Sequence, residues 1–221
     1  MKRNTITLAV MLVVSVCSMN VDCNKRGLTD FHPDDYKFEI PVKITELKKT
    51  YALADTIWIE TNQTAKTLFD LKSNSLVTAD TGFITFGGSF NEFGTTITNP
   101  PNGFCDVITP AGLNVGKDNG YWGTGVRFEY GCGQPDYKVR LGFLPHYRGT
   151  FYLQLYEQDN LQACPEKHIR YYAQANYKYE ALDLGLDIFN SLTDNQQGGK
   201  DGRDFYRKEI AAKEIFVFQV N

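Results

Sequence analysis

An alternation of two most constrains what this chain can become. In YKFEIPVKIT, Phe38, Ile40, Val42 and Ile44 fall on one face of an extended chain, and Glu39, Pro41, Lys43 and Thr45 on the other. Successive side chains of a strand point to opposite faces, so this segment must lie with one face against a core. The pattern returns four times. Ile57 and Ile59 oppose Trp58 in ADTIWIET; GVRFEY aligns Val126, Phe128 and Tyr130; YKVRLGF aligns Tyr137, Val139, Leu141 and Phe143; TFYLQLY aligns Phe151, Leu153 and Leu155. GCGQPD and LPHYRG separate the last three, and Pro145 and Gly149 suit a tight reversal. The inward set is then Phe38, Ile40, Val42, Ile57, Ile59, Val139, Leu141, Phe151, Leu153 and Phe216. Pro41 lacks an N–H, which places the first strand at a sheet edge.

Between residues 78 and 109 the pattern weakens to a single strand, GFITF, followed by Gly-, Asn- and Pro-rich loops. Residues 165–213 carry helix-compatible stretches, and DGRDFYRKEIAAK reads as a short helix before the terminal strand EIFVFQV. Many short strands at regular spacing predict an all-β, mainly antiparallel, immunoglobulin-like β-sandwich with a partly helical insertion before its last strand. One domain over residues 36–221 accommodates it.

FEIPVKITELKKTYALADTIWIE resembles the opening of a broad group of secreted lipoproteins of the Bacteroidota, where an EIP strand leads to a DTIWI strand. That group shows Gly-Asp before the second strand, where this chain has Ala54-Asp55. LPHYRGTFYLQLY and FYRKEIAAKEIFVFQV are similar to the same group. The resemblance implies a cell-envelope, immunoglobulin-like sandwich of unassigned activity. It carries no catalytic residue over.

The N-terminus reads as an export signal. Lys2 and Arg3 precede ITLAVMLVVSV, residues 6–16, an apolar run of secretory length and too short to span a bilayer. The run also resembles a bacterial lipoprotein signal, in which a cysteine is acylated and cleavage falls just before it. Val14-Ser15-Val16-Cys17 keeps the order of that signal but has Val16 where the pattern wants Gly, Ala or Ser; Asn20-Val21-Asp22-Cys23 fits less well. Residues 1–16 are accordingly read as signal peptide and 17–35 as anchor and tether. Cys17 is the lipid-bearing residue, Cys23 the alternative, and cleavage without lipid a third course. The protein is then exported to the cell envelope, at the outer membrane or cell surface.

If Cys17 is acylated, four thiols remain, and an even set can pair in an oxidising compartment. Cys132 and Cys164 flank two strands; a bridge there closes a loop of about 30 residues and stabilises by roughly 3 kcal/mol in the chain-entropy model. Cys23 and Cys105 would form the second bridge.

Chemistry is otherwise sparse. The formal net charge is −3 with Lys and Arg scattered, which argues against nucleic acid as a partner. His32, His146 and His168 match no metal spacing, so no metal or cofactor is expected. GYWGTG runs into a strand rather than a helix N-terminus and reads as a turn, not a phosphate loop. DNQQGGKDGRD breaks the order of a calcium loop. Glu129 and Asp136 are the pair a glycosidase would need, with nothing to bring them together. No catalytic residue is assigned. Two classes of function remain: a recognition or structural module whose ligand is an envelope protein or a glycan, with Tyr121 and Trp122 as contact candidates, and an envelope hydrolase acting on glycan or peptide.

Overall fold

The computed structural model describes residues 36–79, 82–94, 100, 102–109, 116–120, 123–156, 161–163 and 173–221, with backbone alone at 82–83, 118–120 and 161–163. The signal, the tether, Cys17, Cys23, His32, Tyr121, Trp122, Cys164 and His168 lie outside the described residues.

In chain order the strands are β1 (Tyr36–Thr45), β2 (Thr50–Tyr51), β3 (Ile57–Gln63), β4 (Thr67–Asp70), β5 (Ser75–Thr78), β6 (Gly82–Glu92) and β7 (Cys105–Ile108). They continue as β8 (Gly116–Gly120), β9 (Gly123–Tyr130), β10 (Tyr137–Pro145), β11 (Gly149–Leu155), β12 (Leu161–Ala163), β13 (Ala173–Tyr179) and β14 (Ile215–Val220). Helices α1 (Leu186–Ser191) and α2 (Gly199–Ala211) stand between the last two strands. Two seven-stranded sheets result: β5-β4-β1-β3-β10-β7 with β13 on β1, and β2-β14-β11-β6-β9-β8 with β12 on β6. Most pairings are antiparallel; β1 with β13 and β14 with β2 are parallel. The fold is a β-sandwich with a small helical part before its last strand.

All ten residues assigned inward by alternation are buried. Rings from the two sheets meet between them: Phe86 and Tyr177 at 5.0 Å, Phe90 and Phe143 at 6.2 Å, Tyr130 and Tyr137 at 6.1 Å. Tyrosine also ties the layers through hydrogen bonds, because a phenol inside a core needs an acceptor. From β13, Tyr177 donates to the Thr85 carbonyl at 3.0 Å and Tyr179 to the Leu153 carbonyl at 3.2 Å, both on the facing sheet.

The expectation that Pro41 marks an edge strand is overturned, since β1 has partners on both sides. The Lys37 carbonyl accepts from Leu71 N on the β4 side, and the Val42 carbonyl accepts from Glu180 N on the β13 side. By alternation Pro41 therefore faces the side of Lys37. There, β4 pairs only with Phe38 and Glu39, and β3 begins at Lys43. Pro41 falls in the handover between two partner strands, where its missing N–H breaks no ladder bond.

The insertion also differs in part from its helical reading. Residues 173–179 form β13, with Ala173, Ala175, Tyr177 and Tyr179 buried at alternate positions. The helices come after it and lie on the outer face of the second sheet. Gly185, at φ +79°, fixes that contact: a Cβ there would stand 2.0 Å from the Val217 carbonyl oxygen. Only glycine combines that left-handed backbone with so close an approach.

Candidate functional site

Cross-strand register lays out the outer face of the second sheet in rows. One runs Val217–Tyr152–Asn91–Gly123 across β14, β11, β6 and β9. The next runs Ile215–Gln154–Ser89–Gly125–Asp118 and reaches β8. In the third, Tyr156 N donates to the Gly87 carbonyl at 2.9 Å, Gly87 opposes Arg127, and Arg127 opposes Gly116. Residues directly opposite one another share a face, so Gly87, Gly125 and Gly116 leave gaps between the side chains on the outer surface of β6, β9 and β8.

The result is a groove of about 430 Å³ lined by Gly87, Gly88, Gly116, Lys117, Gly125, Val126, Arg127 and Tyr156. Local sequence explains it. In FITFGGSFNE the inward positions hold Ile84, Phe86 and Phe90, which anchor β6, while the outward ones hold Thr85, Gly87, Ser89 and Asn91. In GTGVRFEY, Thr124, Val126, Phe128 and Tyr130 are inward, leaving Gly125, Arg127 and Glu129 outward.

Tyr156 walls one side at 39% exposure, just past the end of β11. Its hydroxyl donates to Ser89 Oγ at 2.6 Å, and Asn91 Nδ2 donates to the same oxygen at 2.6 Å. The ring is thus held in place by a buried polar pair. Arg127 is exposed, and among the described residues it has no hydrogen-bond or ion-pair partner. Lys117 differs. It opposes the inward Val126, and its charge acts on the Cys105 thiol. Lys117 also lines the groove, and Arg127 is the cation on the outward face of its floor.

Of the residues singled out by sequence, Tyr121 and Trp122 lie outside the described residues. Of the glycosidase pair, Asp136 accepts a hydrogen bond from Ala65 N at 2.7 Å, and Glu129 stands on the outward face of β9. Asp194, in the glycine-rich loop, is bound by Arg203 at 2.6 Å. His146 contacts the Gly103 carbonyl at 3.1 Å and Asp106 at 3.2 Å.

Cys105 is buried and free, and it faces the interior with Thr124 as partner. That leaves a Cys23–Cys105 bridge without support in the structure. Burial pushes its thiol up to about 12, far from a thiolate nucleophile at neutral pH. Cys132 is engaged in an interaction, and Cys164 lies outside the described residues.

Sequence reasoning missed the groove because its signal is scattered. Gly87, Gly116 and Gly125 look like ordinary breakers in three separate segments, and only register brings them to one face.

Comparison with protein-family models, with curated proteins and with solved structures finds no match.

Proposed function

We propose that the protein is a non-enzymatic recognition module of the cell envelope, held on a membrane by a lipid on Cys17, with the groove on the second sheet as its contact surface. The observation that carries this reading is the pairing of a bare glycine floor with a fixed aromatic wall and an unengaged guanidinium. Such a groove offers shape, an apolar ring face and positive charge. The N-terminal sequence supports the anchor: a multiply acylated cysteine gives about 0.8 kcal/mol of membrane affinity per buried CH₂ and needs no transmembrane helix. A Cys132–Cys164 bridge belongs to the same proposal, since an exported domain meets oxidising conditions.

One experiment tests both parts. Cells grown on radiolabelled fatty acid should yield labelled wild-type protein and labelled Cys23→Ser, with no label on Cys17→Ser. The labelled wild type, extracted in detergent, should retain a component of the envelope glycan or protein fraction that Gly125→Trp, with an unchanged thermal transition, does not. Equal retention by the two removes the groove from the function; label that follows Cys23 moves the anchor.

A further inference from the structure

We propose that the groove binds an acidic sugar residue, with its carboxylate on Arg127 and its ring face on Tyr156. This rests on the recognition reading and names the ligand class for the same site.

Charge is the first argument. Arg127 is opposed by Gly87 on one side and Gly116 on the other, so neither cross-strand neighbour carries a side chain to cover the guanidinium. Its fork of N–H donors matches a carboxylate in two parallel bonds, and a glycine floor lets the ligand approach closely enough to make them.

The wall is the second. A sugar shows an apolar C–H face and a polar rim, and Tyr156 presents the complement: an exposed ring whose hydroxyl is already occupied by Ser89 at 2.6 Å. Fixing the ring before binding removes an ordering cost that a mobile tyrosine would incur.

The backbone is the third. Two of the three floor strands already have partners on both edges, β6 between β11 and β9, and β9 between β6 and β8, which ends the sheet. Over β6 and β9 no main-chain donors or acceptors are left for an added peptide strand, so recognition there must come from side chains. A volume of about 430 Å³ is also that of a small-ligand pocket.

The test is calorimetric titration of the full-length protein in detergent with oligomers of galacturonate, glucuronate and sialic acid, each beside its carboxyl-reduced counterpart. At least one acid should bind about tenfold or more tightly than its reduced form, a difference near 1.4 kcal/mol. Arg127→Gln should erase that ratio while leaving the thermal transition in place. Arg127→Lys should restore part of it, because the charge returns without the fork. Tyr156→Ala should weaken both members of a pair alike. Equal binding of acid and reduced sugar, a ratio indifferent to Arg127→Gln, or no sugar binding at all overturns the proposal. Retention of an envelope protein through the groove, with no sugar bound, overturns this inference and leaves the recognition reading standing.

Discussion

The outer face of the second sheet is two surfaces in one. Its β14–β11 half carries Ile215, Val217 and Tyr152, all buried, beneath α1 and α2. There Phe93, Tyr152, Phe189 and Tyr206 make a second small core: Phe93 lies 4.5 Å from Tyr152 and 4.9 Å from Tyr206, and the Tyr152 and Tyr206 hydroxyls meet at 3.0 Å. Its β6–β9–β8 half carries Gly87, Gly125, Gly116 and Arg127 and stays open. The same strands β11 and β6 take part in both. What differs is the outward residue. Apolar side chains demand a cover, because each leaves about 25 cal/mol per Å² of apolar area unburied without one. Glycines demand none, and the surface is left to a ligand.

The largest effect that separates the halves comes from placing the same charge in each. Val217→Asp puts a carboxylate at a fully buried position beside Gly185. An unpaired buried charge costs several kcal/mol against a typical total of about 5–15. Little folded protein should be recovered. Arg127→Asp, on the same face, replaces one exposed charge by another and should shift stability by no more than about 0.5 kcal/mol. Circular dichroism and thermal melts of the pair decide it. Comparable loss in both would show that the groove is closed in solution.

Phe189→Ala asks whether the helices are a true cover. Phe189 is fully buried, with its ring 5.5 Å from Phe93 and 5.8 Å from Tyr206. Truncation of such a ring costs about 3–5 kcal/mol. Urea titration should show a lower midpoint with an unchanged slope. A smaller slope would mean that α1 and α2 come off before the sandwich unfolds.

Much of the sandwich was legible because its signal is local. Phe38 to Ile44 and Tyr137 to Phe143 announce their buried face within one strand, and EIFVFQV reads as the terminal strand from its own residues. The misses are non-local. Pro41 read as an edge because nothing in its neighbourhood reveals that β1 changes partner beside it. Residues 173–179 read as helix-compatible because Ala is a strong helix former, and it is parallel pairing with β1 and packing against Phe86 that select the strand. The groove needed the register of four strands at once.

The smallest expected effect lies at the end of the cover. Glu209, in the last turns of α2, approaches Glu214 at the start of β14, and Lys178 from β13 pairs with Glu214. Burial acts to raise Glu214, but the hydrogen bond from Glu209 and then the ion pair with Lys178 hold it charged and low, so Glu209 is the donor between the carboxyls. The proton-sharing contact with Glu214, burial and Glu214's charge raise Glu209 from 4.5 to about 7, with Lys208 and Lys178 opposing the rise. A carboxyl raised on folding is bound to its proton more tightly in the native state. Its favourable contribution is therefore fullest below the unfolded value and declines as pH rises toward about 7, becoming flat above. Solvent reaches this pair, so the effect is a modest slope rather than an unfolding transition. Glu209→Gln keeps a donor and removes the titration. Between pH 5 and 8 the wild type should lose thermal stability relative to Glu209→Gln, with the gap opening through the window and levelling near its upper end. Parallel profiles for the two proteins would mean that Glu209 titrates as it does in the unfolded chain. The covered half would then owe nothing to this proton, and its hold on the sheet would rest on Phe189, Tyr206 and Gly185 alone.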